Sequence, residues 1–323
     1  MKWHPINSGL GGLSDSLCEL LAARSKEPDW APTLREDVPF VLLSDYSMVG
    51  DNKDGFEVYS FLAVDETGLT DAVHDLHAAR ERCPKLAGRR ISYTKLGDKI
   101  KQEAMPEFFL AYQRIRGLVV SFAVSRELGA LFRPSNTASQ EFDAELVRAF
   151  SLFGGTTVER AGRILHFASI LTGGLAPAGQ KVLWITDEDD IVASPTHQQA
   201  LGVLYRNLSS HCLNRQLADA RLARVSDTKP QLSVEDLLAV PDLIAGAIGE
   251  VLDNGWQRHA AAPTGFVLPT HPDVRKKSLA VVGNLLTDIG TLRHTTICIG
   301  PGNSGKPKLN SFRFHDLRDY TGG

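Results

Sequence analysis

The chain has 323 residues, of which 43% are hydrophobic and 23% are charged, and its formal net charge at pH 7 is -3. This balance is ordinary for a globular protein, and the length allows one large domain or two smaller ones around a substantial core. The weak overall charge excludes a uniformly basic nucleic-acid-binding surface, although it leaves room for a local basic groove.

Four cysteines are scattered along the sequence, and no two of them have the spacing of a CxxC pair. They are therefore expected to be reduced, mostly buried thiols rather than a disulfide framework or a zinc ribbon. No apolar stretch approaches the roughly 20 residues that a bilayer-spanning helix needs, and the N-terminus lacks the apolar core of a signal peptide. We therefore expect a cytoplasmic protein with no membrane partner.

Strand and helix signals alternate from about residue 38 onward. The predicted strands are, in chain order, PFVLLSD, FEVYSFLAVD, RRISYTK, GLVVSFAVS, VLWIT, LADARLARVSD, TTICIG and SFRF. The predicted helices run from Thr70 to about Cys83, at roughly 98–115, within 127–178, after Ser194-Pro195, through SVEDLLAVPDLIAGAIGEVL with a break at Pro241, and near 274–289. This order predicts an α/β fold in which helices flank a mixed sheet.

The same pattern gives a domain organisation. Residues 1–36 form an N-terminal extension with one short amphipathic stretch and a proline-containing tether. Residues 37–323 are predicted to be a single domain. Within that domain, the block at about 127–178 interrupts the strand pattern and is predicted to be a helical insertion.

Three aspartates stand at the boundaries of predicted elements. Asp45 ends the first buried strand, Asp187 ends VLWIT, and Asp242 opens a helix after a proline. An aspartate in such a place commonly forms a turn or complements a helix dipole. Sites in α/β proteins also lie at strand ends, and carboxylates that converge there are the ligands that Mg²⁺ and Mn²⁺ require. Glu188 is a further candidate ligand, whereas the two acids after it are expected to be solvated.

Small residues share the helix face of Asp242. Ala245, Gly246 and Gly249 follow it by three, four and seven residues, which places them along one side of the predicted helix. We expect this side to lie close to the sheet and to bring Asp242 toward the other two carboxylates.

Three motifs carry a resemblance to a known family. FVLLSDYS followed by a turn and a second strand resembles the YIDESG opening of a bacterial and phage family of uncharacterised ribonuclease H-like proteins of the integrase superfamily. VLWITDE is similar to that family's later strand with Asp-Glu, and LLAVPDLIAGAI to its terminal helix. The resemblance covers about residues 38–255. It implies a ribonuclease H-like fold, a nuclease activity, and Asp45, Asp187 and Asp242 as metal ligands.

This sequence departs from the family pattern at the opening motif, where Tyr46 follows the first aspartate instead of Glu. Lys95 occupies a region in which the family often has His or an acid. It is a candidate for holding a phosphate as a point charge, although a solvent-exposed Lys after a strand is the plainer interpretation. The surrounding segment is locally basic and could track phosphates, through Arg89, Arg90, Lys99, Lys101, Arg114 and Arg116.

Other motifs are weaker. GPGNSGKP at 300–307 matches the phosphate loop GxxxxGK, but Pro307 replaces the Ser or Thr that should contact Mg²⁺, so a Gly-rich hairpin loop is favoured. His74 and His77 have helical spacing but no second ligand pair, so a polar helix face is favoured over a zinc site. His211 is a candidate general base that also suits a helix C-terminus.

The sequence thus predicts a metal-dependent nuclease that uses Mg²⁺ or Mn²⁺ on DNA or RNA, with metal-bound hydroxide as nucleophile. The alternative is a catalytically silent ribonuclease H-like subunit of a phage-defence or mobile-element system that binds nucleic acid or a partner protein. Nucleotide binding by the 300–307 loop is a third hypothesis.

Overall fold

The computed structural model describes residues 3–6, 12–48, 55–131, 149, 151–154, 156–187, 190–213, 219–228, 231–259, 274–287, 289–302 and 307–314. None of the helices in these ranges is long and apolar enough to cross a membrane. All four cysteines are free thiols, and three of them are buried.

The described strands form one sheet with a mixed pattern of directions. They are β1 (Phe40–Met48), β2 (Phe56–Asp65), β3 (Gly117–Ser125), β4 (Lys181–Thr186), β5 (Asp219–Arg224), β6 (Arg293–Pro301) and β7 (Pro307–Phe312). Their spatial order is β5-β4-β1-β2-β3-β6-β7. β2 is antiparallel to β1 and β3, β7 is antiparallel to β6, and the other neighbouring pairs are parallel. The predicted α/β class with a mixed sheet is confirmed.

Seven α-helices surround this sheet in the described part of the chain. They are α1 (Gly12–Arg24), α2 (Glu66–Arg82), α3 (Lys99–Gln113), α4 (Thr156–Leu175), α5 (Pro195–Leu213), α6 (Gln231–His259) and α7 (Lys276–Val281). Short 3₁₀ turns occur at Pro84–Leu86, Tyr93–Lys95 and Val225–Asp227, and a π-helical turn follows α7 at Val282–Leu286.

Helices cover both faces of the sheet. Successive side chains of a strand point to opposite faces, so Val41 and Leu43 of β1 join one apolar core and Phe40 and Leu42 join the other. The first face, which we call the α6 face, also packs against α2, α3 and α7. The second, the α4 face, packs against α1, α4 and α5. Burial on both faces explains why β1 begins as an unbroken apolar run.

The N-terminal residues and α4 belong to the core of the α4 face. Leu17 and Leu21 of α1 are fully buried there, together with Trp30. α4 lies between β3 and β4 in the chain and buries its apolar side chains in the same core. The domain boundary at residue 36 and the insertion at 127–178 stay predictions, and residues 132–148 lie outside the described part of the chain.

The prediction of a third strand at RRISYTK is wrong. The segment is irregular and ends in the 3₁₀ turn Tyr93–Lys95, and the place beside β2 is taken by GLVVSFAVS, which is β3. Ile91 and Tyr93 are both buried in the core of the α6 face. Their alternation with polar neighbours imitates a strand pattern, which is why periodicity alone gives the wrong answer here.

Two predicted helix boundaries also differ from the structure. α6 continues through Pro241, because the fully buried Leu238 and Leu243 on either side supply packing that offsets the lost hydrogen bond. α2 begins at Glu66 rather than at Thr70, because the side chain of Asp65 caps the helix by accepting the Gly68 N–H at 2.6 Å.

Candidate carboxylate site on the α6 face

Asp45 and Asp187 lie side by side on neighbouring parallel strands. The paired register of β1 and β4 ends at Ser44 and Thr186, so the two aspartates are the next residues in that register. Asp45 is two residues after Leu43, and Asp187 is two residues after Ile185. Leu43 and Ile185 both belong to the core of the α6 face. Both carboxylates therefore point toward the α6 face.

Two of the predicted positions need correction in detail. β1 continues past Asp45 to Met48 as the partner of β2, so Asp45 ends only the parallel part of the strand. Asp242 does not open a helix but lies in the middle of α6, after Pro241. Asp187 directly follows the last residue of β4, as predicted.

Asp242 comes to the site because α6 packs against β1 and β2 on this face. Its helix neighbours Leu243 and Ile244 are fully buried in the core of the α6 face. One carboxylate oxygen of Asp242 accepts the backbone N–H of Tyr93 at 2.7 Å, which fixes its orientation. The three aspartates that the sequence singles out therefore lie close enough for their charges to act on one another's pKa values.

Burial and neighbouring acids both raise pKa values in this cluster. Burial raises the pKa of Asp45 well above its ordinary value, and the charges of Asp242 and Asp187 raise it further, against the opposing charge of Arg90. Burial also raises the pKa of Asp242 to about 6, against a hydrogen bond from the Tyr93 N–H. Carboxyl groups whose pKa values are raised by burial and like charge are typical of functional sites.

Arg90 is the counter-ion of the cluster. Its Nη1 donates to Asp187 Oδ1 at 3.1 Å, its Nη2 donates to Asp187 Oδ2, and the same Nη2 lies 3.9 Å from Asp45 Oδ2. The side chain of Arg90 is 35% exposed, compared with 23% for Asp187 and 13% for Asp45. One guanidinium therefore covers the solvent side of a deeper group of carboxylates.

The backbone of the Arg90 segment is held by three polar contacts. Lys101 Nζ donates to the carbonyl oxygen of Arg90, and Arg80 Nη2 donates to that of Arg89 at 3.1 Å. The third contact is the bond between the Tyr93 N–H and Asp242. These bonds replace strand pairing and position Arg90 over the acids.

Tyr93 links the site to α6 and α7. Its hydroxyl donates to Glu250 and lies 2.6 Å from Ser278 Oγ, and Lys277 Nζ donates to its carbonyl oxygen at 2.9 Å. A Cβ added to Gly246 would lie 2.2 Å from the Tyr93 ring. Gly246 was expected to bring α6 close to the sheet, but it makes room for Tyr93 instead.

The other candidate residues make no described contact with the three aspartates. Lys95 is exposed on the 3₁₀ turn, and Glu188 lies outside the described residues. His74 and His77 are exposed on α2, where each is near an acid of its own helix. His211 is exposed at the end of α5.

The 300–307 loop joins two strands. β6 and β7 are antiparallel neighbours, with Pro301 opposite Pro307, as expected for a hairpin. A phosphate loop requires a helix directly after its Lys, and the chain instead enters β7. The flanking strands therefore favour the hairpin interpretation, whereas nucleotide binding stays an untested hypothesis, because residues 303–306 are outside the described part of the chain.

Tyr46 points away from the carboxylate site. Its hydroxyl lies 2.7 Å from Ser44 Oγ and 3.2 Å from Thr186 Oγ1, on the α4 face of the sheet. Because β1 alternates, any side chain at position 46 faces the opposite side from Asp45. The Tyr46 departure from the family pattern therefore removes no carboxylate from this cluster.

Within the described ranges, no three His, Cys, Asp or Glu side chains are close enough to form a ready-made metal cage. The donor chemistry nevertheless fits a hard divalent cation, since Asp45, Asp187 and Asp242 are all carboxylates and two of them have raised pKa values. Arg90 supplies the positive charge that faces them in this structure.

Sequence reasoning named Arg90 only as one of several basic residues, and missed Tyr93 and Lys277 altogether. The one local signal for Arg90 was its place in the basic run before SYTK. No family model matches the chain, and a search of curated proteins finds no similar sequence.

Proposed function

We propose that this protein is a metal-dependent nuclease in which Asp45, Asp187 and Asp242 hold Mg²⁺ or Mn²⁺. The observation that carries the proposal is the convergence of carboxylates from β1, β4 and α6, with burial and mutual repulsion raising the pKa values of Asp45 and Asp242. A buried group of acids with too little positive charge gains most from a divalent cation.

The sheet supports the same proposal. Its first five strands have the order β5-β4-β1-β2-β3, and β2 is the single antiparallel member of these five. That arrangement is the one expected of a ribonuclease H-like sheet, with β6 and β7 extending it beyond β3. Asp45 then lies on β1 and Asp187 directly after the neighbouring β4, where the family resemblance expects metal ligands.

Each residue has a distinct role in this proposal. A metal ion held by the three aspartates would supply an activated water and would stabilise the charge that develops during phosphodiester hydrolysis. Tyr93 keeps Asp242 oriented through its N–H. Arg90 holds Asp187 in place through both of its oxygens and lies where its guanidinium could also contact a substrate phosphate.

The test is a cleavage assay with labelled DNA and RNA oligonucleotides in Mg²⁺ or Mn²⁺. Asp187→Asn should lower the cleavage rate by at least about 100-fold, since even the supporting groups around metal ligands contribute roughly 10- to 100-fold. The matched control is Asp190→Asn, an exposed acid three residues later in the same acidic run. Cleavage by Asp187→Asn at the wild-type rate would refute the assignment.

The Arg90–Asp187 ion pair favours a second candidate, the catalytically silent subunit. A guanidinium bonded to both oxygens of Asp187 can substitute for a metal and stabilise the fold without catalysis. This candidate expects no cleavage by the wild-type protein in any divalent metal, together with a stable complex with nucleic acid or with a partner protein.

A further inference from the structure

Two basic segments that are far apart in the sequence meet beside the carboxylate site. Residues 89–101 contain five basic residues and one acid, and residues 275–277 read Arg-Lys-Lys. Lys277 Nζ donates to the Tyr93 carbonyl oxygen and lies 3.9 Å from the centre of the Tyr93 ring. Arg275 lies over the same ring at 5.9 Å. We call residues 89–101 and 275–277 together the basic rim.

Part of the basic rim has no carboxylate partner. Lys95, Lys99 and Lys276 are exposed, and none of them has a carboxylate oxygen within 4.0 Å among the residues that the structure describes. By contrast, Arg275 is paired with the buried Glu250, and Arg89 lies 3.6 Å from Asp98. The three exposed lysines are therefore available to an anionic partner.

The cations of the rim also repel one another. Burial lowers the pKa of Lys101, and the nearby charge of Lys95 lowers it further. Burial likewise lowers the pKa of Lys277, with an added contribution from Arg275. The contribution of basic neighbours, second to that of burial, indicates a positive surface that an anion would stabilise.

The rim borders the acidic cluster directly. Asp242 interacts electrostatically with both Lys101 and Lys277, and Arg90 belongs to the rim while it contacts Asp187. An acidic centre beside basic residues from two segments suits a chain of phosphates, because a cation held by the acids would face one phosphate while its neighbours contact the basic residues.

We propose that the basic rim binds the phosphate backbone of a nucleic acid strand, with Lys95, Lys99 and Lys276 as its exposed contacts. This inference shares with the proposed function the premise that the substrate is a nucleic acid, and it adds where the strand is held. The compact ammonium of lysine suits sequence-independent contact with phosphates.

The experiment measures binding of a fluorescent single-stranded oligonucleotide by anisotropy in EDTA, over a series of salt concentrations. The test variant is Lys95→Ala/Lys276→Ala, and the matched control is Lys26→Ala/Lys181→Ala. Lys181 is exposed at the start of β4, at the far end of that strand from Asp187. Thermal unfolding of both variants verifies that the fold is kept.

Loss of two phosphate contacts should weaken binding and reduce the slope of log affinity against log salt by roughly 0.7 for each contact. The control should bind as wild type does. Equal binding by the test variant, no binding by the wild type, or equally effective competition by polyglutamate would each overturn the inference. EDTA prevents metal-dependent cleavage, so this experiment measures binding alone. If the wild type binds here but does not cleave when Mg²⁺ or Mn²⁺ is supplied, the nuclease proposal is refuted and the binding inference stands.

Discussion

Asp242 is a carboxylate in the middle of a helix whose neighbouring residues are buried and apolar. Its position lowers the stability of the folded protein at neutral pH, because burial raises its pKa to about 6 and the unfolded chain has no such effect. A stability cost of this kind is common at functional sites.

This cost can be measured with Asp242→Asn in EDTA. The pKa of Asp242 is higher in the folded protein than in the unfolded chain. Its carboxyl group therefore favours folding when the pH is below the unfolded-state pKa, and this advantage is lost as the pH rises through the folded-state pKa of about 6. At pH 8 the variant should therefore unfold with a free energy higher than wild type by roughly 1–3 kcal/mol. Urea titrations at pH 8 and pH 4 test this.

The stabilisation should shrink as the pH falls toward 4, where the wild-type carboxyl is protonated in the folded state. An Asp242→Asn protein that is less stable than wild type at pH 8 would show that the bonds with Tyr93 and the charge of Arg90 outweigh burial. The acidic cluster would then be a structural ion network rather than an incomplete cation site.

Individual site residues differ in how far the sequence predicts them. Asp45 and Asp187 were predictable because an acid after an apolar strand pattern is a local signal, although β1 itself continues past Asp45 to Met48. Arg90 was not, since its partner Asp187 lies 97 residues away and no spacing rule joins them. Tyr93 was hidden by its apparent strand pattern, although its real role depends on Gly246 and Asp242 in a distant helix.

At the scale of elements, α6 organises the site. It supplies Asp242 to the carboxylates, Gly246 to the Tyr93 ring and Glu250 to the Tyr93 hydroxyl, all from one side of the helix. The helix thereby fixes an irregular segment that has no strand partner of its own. The position of Arg90 over the acids depends on this contact, because Arg90 and Tyr93 belong to the same short segment.

Gly246→Ala tests the contact between α6 and Tyr93. An added Cβ would lie 2.2 Å from the ring, so the segment must shift, and we expect a loss of roughly 1–3 kcal/mol in the free energy of unfolding. The matched control is Gly202→Ala in α5, where the new Cβ would be 3.7 Å from Leu222. That variant should be more stable by about 0.5–1 kcal/mol, because alanine favours helix.

Denaturant unfolding of the two variants gives the comparison directly. If Gly246→Ala were stabilised as much as Gly202→Ala, the packing of Tyr93 against α6 would not hold the Arg90 segment, and the derived position of Arg90 would lose its support.

Element prediction failed where tertiary contacts decided the outcome. The helix was expected to break at Pro241, yet it continues because the residues on both sides of the proline are buried. The third strand was misassigned because two buried residues in alternation look alike in a strand and in an irregular segment that covers a core. Local patterns carry no information about which element occupies the neighbouring place in a sheet.

For the molecule as a whole, the α/β class followed from alternating strand and helix signals, and the two-sided burial of β1 followed from its apolar run. The strand order could not be derived from these signals, because it depends on which strands pair across crossovers of many residues. That order is what brings β1 beside β4 and so places Asp45 next to Asp187. The site therefore depends on the topology of the sheet, because the local sequence around each aspartate is ordinary.

The most direct test of the metal-binding account is thermal unfolding with EDTA and with Mn²⁺, in wild type, Asp187→Asn and the control Asp190→Asn. A ligand that binds only the folded state stabilises it by about 2.7 kcal/mol at 100 times its Kd, so Mn²⁺ should raise the Tm of wild type and of the control by a few degrees. Asp187→Asn should not respond. If Mn²⁺ leaves the wild-type Tm unchanged, or stabilises Asp187→Asn equally, the three aspartates do not form a metal site.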